Sequence, residues 1–177
     1  KRMREILLQW VRETGDLGLL PEAEIEIREK TVGARYQILQ GKNKLKAELG
    51  RVAALASSGV HALPELLQAL RHSDAAVRYW GATGVGNIGK PVAYTKPAMI
   101  EALKDSSPSV RIAVARALGK LGFPEQALPT LEAELKSEHQ WGRLAAAIVL
   151  DEMDEQARPA IPALKQALVK QPNKYIV

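Results

Sequence analysis

The feature that most constrains the fold of this 177-residue chain is an internal repeat. Prolines recur at spacings of 33, 32 and 33 residues: Pro64, Pro97, Pro129 and Pro162. Arginines recur with the same period: Arg78, Arg111 and Arg143. Residue types that share one period of roughly 20–50 residues indicate an array of stacked units rather than a single unrepeated core.

Each unit predicts two helices joined by a short polar turn. The proline marks the start of the first helix, because a proline in the first turn loses no helical hydrogen bond. The second helix is rich in alanine, and Gly89 and Gly122 are expected to end two of these helices in the left-handed conformation. Small and aliphatic residues on one side of the second helices favour close stacking. The sequence therefore predicts an all-α fold, an α-solenoid of helical hairpins.

The unit resembles one particular family of solenoids. A Leu-Pro pair opens the first helix and a Val-Arg pair lies near the start of the second, which is similar to the short HEAT-like repeats of phycobilin-lyase type. HEAT repeats usually have roughly 40–47 residues, so this is the compact form. The resemblance implies a repeat domain over residues 47–177, with units at about 62–94, 95–126, 127–156 and a truncated 157–177. The third unit departs from the pattern at Gly142 and Asp154.

The repeated arginines are expected to form a ladder between repeats, with carboxylates of the turns such as Asp74 and Asp105 as partners. This is a structural role. Residues 84–89 match the glycine pattern GxGxxG, but that dinucleotide fingerprint requires a preceding strand. Because these glycines end a helix, we interpret them as residues that permit close packing beside Trp80.

The pattern changes before the repeats. Residues 1–14 predict one amphipathic helix, whose apolar residues are Ile6, Leu7, Trp10 and Val11. A turn and an extended stretch are expected over residues 15–25. Residues 28–46 are polar and basic, with Lys42, Lys44 and Lys46, and predict a connecting loop. A helix over about 47–57 is then expected to enter the array and to cap it.

This opening segment carries a second resemblance. It is similar to the stretch that ends the catalytic domain of certain bacterial sulfatases and leads into a C-terminal HEAT extension. The matching residues are Trp10, Glu13, Thr14, Asp16, Gly18, Leu20, Pro21 and Glu22. The resemblance implies that residues 1–46 belong to the end of such a domain. It also implies an exported parent, periplasmic or extracellular, whose metal-binding acidic residues lie upstream of Lys1. Because the chain starts with lysine rather than methionine, we expect it to be a piece of that longer protein.

The sequence shows no catalytic, metal or cofactor site. The absence of cysteine excludes a thiolate zinc site and a cysteine nucleophile. The histidines lack the spacing of metal ligands: His61, His72 and His139. Residues 106–111 approach the sulfatase signature Cys/Ser-x-Pro-x-Arg, but the arginine comes one residue late. A serine and a proline at a turn-to-helix junction are typical of helix caps. We therefore expect a chain that is not an enzyme and has no cofactor.

A binding surface is expected on the concave side, which the second helices of a solenoid usually line. Its residues outside the core are Tyr79, Thr83, Asn87, Arg116, Lys120 and Glu152. A nucleic-acid groove would need a continuous basic stripe with stacking aromatics, and a membrane span would need about 18 apolar residues in a row. Neither is present. An acidic cluster at residues 151–155 indicates either a solvated helix end or a contact surface.

The sequence thus predicts a non-catalytic scaffold that is the C-terminal part of a sulfatase. Its partner would be a protein, either its own catalytic domain or another chain. One alternative is a free-standing HEAT adaptor for protein–protein contact. A lesser alternative is a module that binds a sulfated glycan through Arg116, Lys120 and residues 42–46, to which the net charge of +5 lends weak support.

Overall fold

A computed structural model describes residues 2–90 and 94–169, and every regular element within these ranges is helical. The α-helices are α1 (Arg2–Thr14), α2 (Glu22–Val32), α3 (Asn43–Leu55), α4 (Leu63–Ala69), α5 (Ala75–Ile88), α6 (Thr95–Ala102), α7 (Pro108–Lys120), α8 (Pro124–Glu134), α9 (Gln140–Glu152) and α10 (Ile161–Ala167). Short 3-10 helices lie at Leu17–Leu19, Arg35–Gln37, Val60–Ala62 and Asp154–Ala160. The predicted all-α class is confirmed.

The repeats form three successive hairpins, and a fourth begins after them. The hairpins are α4 with α5, α6 with α7, and α8 with α9, while α10 is the first helix of the fourth unit. The second helices α5, α7 and α9 pack against one another in sequence, and α3 packs against α5 at the other end. The turn expected after α10, the linker at 91–93 and Lys1 lie outside the described residues.

The prolines begin helices in most, but not all, of the repeats. Pro64 and Pro162 lie in the first turns of α4 and α10, as predicted. In the third repeat the prediction is wrong, because α8 begins at Pro124 and Pro129 lies inside it. Pro124 has the backbone angle that a helix start requires. The helix therefore begins about one turn before Pro129, the proline at the repeated position.

The second helices end as their sequences predict. Gly89 and Gly122 have positive φ angles of 65° and 83°, the left-handed region that glycine adopts without strain. In the third repeat Asp154 has a φ of 50° and takes the same conformation in place of glycine. Aspartate is one of the few residues with a side chain that visits this region.

The stacked faces of the second helices form the core. On α5 and α7 the predicted core residues Val77, Val85, Val110, Val114 and Leu118 are all fully buried. The glycines of α5 do allow close packing, but the neighbour is not Trp80. A Cβ on Gly84 would lie 2.9 Å from Leu66 Cδ1 and even closer to Leu66 Cδ2, and a Cβ on Gly86 would lie 2.9 Å from Ala117 Cα. A Cβ at Gly84 would therefore require Leu66 of α4 to move, and a Cβ at Gly86 would overlap the backbone of α7.

The segment between α1 and the repeats is helical, which corrects two expectations. The stretch 15–25 is not extended: Asp16 accepts a hydrogen bond from the Gly18 N–H and caps a 3-10 turn. The stretch 28–46 is not one loop, since α2 occupies 22–32 and α3 begins at Asn43. Charged pairs one turn apart, Lys30 with Glu26 among them, stabilise α2 without any wide apolar stripe.

Helix α2 crosses the array rather than joining its stack. It contacts α7 and α9, two second helices that come much later in the chain. Its buried residues are Ala23, Glu24 and Ile25. Just before it, the Leu19 carbonyl accepts a 2.8 Å hydrogen bond from the Trp80 indole N–H of α5. A helix of the chain itself therefore lies beside the surface that was expected to bind a partner.

Candidate binding groove

The repeated arginines share one contact with their own repeat. In each case Nη1 donates to two carbonyls of the preceding turn, five and six residues earlier in the chain. The distances for Arg78 are both 2.9 Å, and those for Arg143 are 2.6 and 3.2 Å. Because the turn carbonyls have no helical partner, this clamp satisfies groups that would otherwise lose a hydrogen bond.

Two of the arginines also reach a carboxylate in the next repeat. Arg78 donates to both oxygens of Asp105, at 2.6 and 2.8 Å. Arg111 binds Glu134, whose side chain is almost fully buried. Arg143 has no carboxylate partner among the residues described, and its Nε is buried without a hydrogen-bond acceptor there. The ladder is therefore complete between the first three repeats.

Asp74 belongs to a different contact from the one expected. Its Oδ1 accepts a 2.8 Å hydrogen bond from Arg28 of α2, and it also caps α5 through the Ala76 N–H. On the same helix α2, Glu24 accepts a 2.6 Å hydrogen bond from Ser107, the cap of α7. Two side chains of α2 thus hold the first residues of two neighbouring second helices.

These contacts set the charge state of the ladder carboxylates. Burial alone would raise the pKa of Asp105, but the hydrogen bond and charge of Arg78 hold it below its ordinary value. For Asp74 burial is likewise outweighed, because Arg28 and the helix N–H groups lower its pKa. Asp105 in turn raises the pKa of Arg78. All three groups are therefore charged at neutral pH, as ion pairs require.

A groove lies between the start of α2 and the second helices. Its volume is about 350 Å³, and its walls are mainly apolar. The residues that line it are Pro21, Glu22, Ala23, Tyr79, Thr83, Ser109, Ile112, Ala113, Arg116, Trp141, Gly142, Leu144, Ala145, Ile148, Val149 and Glu152. Three helices of the array and one helix outside it build this groove.

The expected concave surface coincides with the groove in part. Of its six residues, four line the groove: Tyr79, Thr83, Arg116 and Glu152. The side chain of Asn87 instead donates a 3.1 Å hydrogen bond to the Ala56 carbonyl, and Lys120 is exposed outside the lining. The binding role of this surface stays a prediction.

Arg116 is neutralised inside the groove. It donates from Nε and Nη2 to both carboxylate oxygens of Glu152, at 2.5 and 2.6 Å. A bidentate pair of this kind fixes both side chains. Arg116, one of the cations that the glycan alternative uses, is therefore bound to a carboxylate of α9. Lys42 and Lys44 are exposed at the start of α3.

Several residues of the groove and of the ladder were not predicted from the sequence. Glu24 and Arg28 have the spacing of a helical ion pair, a signal that could have identified α2. Glu134 has alanine at the equivalent position of both earlier repeats, Ala69 and Ala102, so no period points to it. Trp141 lines the groove together with the first residues of α2, a helix that the sequence did not predict.

A second apolar surface lies on α1. The exposed fractions are 78% for Met3, 51% for Ile6, 57% for Leu7 and 54% for Trp10. We call these four residues the α1 face. Val11 lies one turn beyond Leu7 on the same apolar stripe and is buried, and α1 packs on α3. The apolar stripe of α1 is thus buried at Val11 and left exposed at the α1 face by the described residues.

Other kinds of site find no support within the part of the chain that the structure describes. No group of three or more histidine, aspartate or glutamate side chains could hold a metal ion there. His72 accepts a hydrogen bond from the Asp74 N–H in its turn. No described helix is long and apolar enough to cross a membrane.

Comparisons with known proteins agree with the fold. The family of HEAT repeats matches residues 63–151 and 96–177, which together span well over half of the chain. No curated protein matches the sequence. Among solved structures, the complex of CpcE and CpcF of phycocyanin lyase from Nostoc sp. PCC7120 is similar with a TM-score of 0.57 and 24% identity. The match covers 86% of this chain and 92% of that chain.

Proposed function

This chain belongs to the HEAT-repeat family, and we propose that it is a non-catalytic scaffold that packs against an enzyme domain through the α1 face. The observation that carries this proposal is the exposure of four large apolar side chains on one helix. The apolar stripe of an amphipathic helix normally packs against another apolar surface. Contiguous apolar surface of this kind typically marks a protein interface.

The resemblance of the N-terminal segment supplies the identity of that domain. Trp10, which lies in the exposed face, is also the first residue that matches the end of a bacterial sulfatase catalytic domain. We therefore propose that the chain is the C-terminal part of an exported sulfatase-like hydrolase, periplasmic or extracellular. In this proposal the repeats have no catalytic group of their own and position a protein partner near the active site of the parent.

A free-standing HEAT adaptor is the second candidate. The similar lyase structure is a complex of two proteins, which favours a protein partner in either case. In the adaptor the α1 face would bind a separate protein rather than a domain of the same chain. Binding of a sulfated glycan has less support, because Arg116 is already paired with Glu152. Retention on heparin well above physiological salt would be needed to favour it.

The test uses the polypeptide encoded directly upstream of Lys1, produced as a separate domain. We expect this domain to bind the chain in calorimetry, and the substitution Leu7→Glu to abolish binding. Val60→Glu is the matched control, because Val60 is exposed to 52% and lies at the start of a different hairpin. Equal binding by both variants would contradict the role of the α1 face. An upstream sequence unrelated to sulfatases would favour the adaptor.

The absence of catalysis has its own test. We expect no turnover of an aryl sulfate by the purified chain at any enzyme concentration. Turnover that survives repeated purification would refute a purely structural role. The same assay on the joined protein, with and without Leu7→Glu, measures whether docking of the scaffold affects the parent activity.

A further inference from the structure

The groove has one wall that no described helix covers. Trp141, Leu144 and Ile148 lie along this side of α9, and Ile148 is 50% exposed. They are spaced three and four residues apart, so they form one continuous apolar strip on the helix. Strips of this kind in globular proteins are normally packed against another apolar surface.

Helix α2 shows how this surface accepts a helix. Its Arg28 and Glu24 bind Asp74 and Ser107, the caps of α5 and α7, and its Ala23 is buried. The helix begins at Glu22, beside α9. The apolar strip of α9 therefore continues an interface that is already occupied by a helix, and a second helix placed there would extend it.

The charges around the strip determine which charges a bound helix should have on its flanks. The groove itself contains Glu22, Arg116 and Glu152, and the last two neutralise each other. Glu22 has only a distant partner, Arg35, at 3.8 Å. At the end of α9, Asp151 and Asp154 are exposed without an ion-pair partner among residues 2–90 and 94–169, but they line a separate cavity between α9 and α10. The carbonyls at that helix end add further negative potential.

The groove lining thus contains two carboxylates, Glu22 and Glu152, and one cation, Arg116. Carboxylates therefore outnumber cations in the lining of the groove, although the whole chain has a net charge of +5. Exposed charges act over about 8–10 Å at physiological salt, so a bound helix responds to this local excess rather than to the charge of the whole protein.

We propose that the groove binds a helical segment of a protein partner that inserts aliphatic side chains along the α9 strip and presents lysine or arginine on its flanks. The aliphatic side chains would contact Leu144 and Ile148, and the cations would lie near Glu22 and the end of α9. This site is separate from the α1 face, so it stands whether or not the chain is joined to a sulfatase.

The probe is a preformed amphipathic helix of about 16 residues, with leucines on one face and lysines on both flanks. Its twin carries glutamate in place of every lysine. Non-specific attraction to a chain of net charge +5 favours the glutamate peptide, whereas the groove favours the lysine peptide. We expect the lysine peptide to bind at least ~10-fold more tightly at physiological salt. Equal or tighter binding of the glutamate peptide would overturn the proposal.

Two pairs of variants locate the site. We expect Ile148→Ala to weaken binding of the lysine peptide by about tenfold, and Glu22→Gln to weaken it severalfold. Their controls are Val60→Ala, at a residue as exposed as Ile148, and Glu101→Gln, at an exposed carboxylate; both lie outside the groove lining and should have no effect. Thermal melts of all four variants check that the fold is intact.

Two further readouts decide between occupants. The indole N–H signal of Trp141 should shift on addition of the lysine peptide, while that of Trp80 stays in place. If the indole N–H signals of both tryptophans shift, or if the Ile148→Ala variant binds the peptide as tightly as the unchanged chain, the peptide binds elsewhere. Concentration-dependent dimerisation that Ile148→Ala abolishes would assign the groove to a second copy of the chain and would also overturn the proposal.

Discussion

The arginine ladder allows a quantitative prediction, because two of its members differ in a single contact. Arg111 and Arg143 occupy the same position in consecutive repeats, and each donates to two turn carbonyls. Only Arg111 also binds a carboxylate among the described residues, that of Glu134. Substitution of each arginine by alanine therefore removes the same clamp, and the difference between the two variants isolates the ion pair.

The magnitude follows from burial. Glu134 is only 4% exposed, so Arg111→Ala leaves an almost buried carboxylate without a partner. Loss of one member of a buried pair costs about 3–5 kcal/mol, and partial exposure of Arg111 places this case near about 3 kcal/mol. Loss of the carbonyl clamp alone, in Arg143→Ala, should cost about 1–1.5 kcal/mol. The expected difference in the free energy of unfolding is thus about 2 kcal/mol.

The assay is thermal and urea unfolding followed by circular dichroism at neutral pH. In a chain of this size about 1 kcal/mol shifts Tm by about 2–4 °C, so Arg111→Ala should melt about 4–8 °C below Arg143→Ala. Arg111→Met combined with Glu134→Leu should recover most of the loss, because no charge is then left buried. Equal melting of the two single variants would refute the reasoning.

Three further predictions concern the fold. Gly84→Ala should destabilise the chain by about 1–3 kcal/mol, because its Cβ would overlap α4. The matched Gly142→Ala, whose Cβ would have no neighbour closer than 3.7 Å, should gain about 0.5–1 kcal/mol in helix propensity; equal effects in chemical unfolding would contradict this. Since the pKa of Asp105 is lowered in the folded chain, its contribution is complete above about pH 4 and is lost as the pH falls through the folded value. Melts between pH 3 and 6 should therefore show a shallower acid loss in Asp105→Asn, and unchanged steepness would argue against the pair. Trp80→Phe removes the hydrogen bond to the Leu19 carbonyl and should cost about 1 kcal/mol, with loss of protection of α2 in hydrogen exchange; undiminished protection would show that α2 is held without it.

The array was predictable because its signals repeat. A proline, an arginine or a glycine that recurs at one period has to take the same place in each unit, so a single unit explains the others. The position of Pro129 escaped this logic, since a second proline five residues earlier starts its helix first. In this repeat the helix start is thus set by Pro124 rather than by the repeated proline.

The groove was not predictable to the same extent. Its floor, which includes Tyr79 and Thr83, follows from the spacing of the residues that lie outside the core on the second helices. Its other wall is α2, a helix without a repeat partner and without a wide apolar stripe. What places α2 there is a pair of contacts with Asp74 and Ser107, residues that are remote in sequence. No single-sequence pattern marks such contacts, because each partner is an ordinary helix cap when considered alone.

The path of α2 has a consequence for the order of events during synthesis. Most contacts of a solenoid join neighbours in sequence, so its repeats can fold one after another as they leave the ribosome. Arg28 and Glu24, however, meet partners that lie 46 and 83 residues further along. Helix α2 therefore cannot complete its contacts until α7 has left the ribosome. Only then does it connect the first half of the protein to the second.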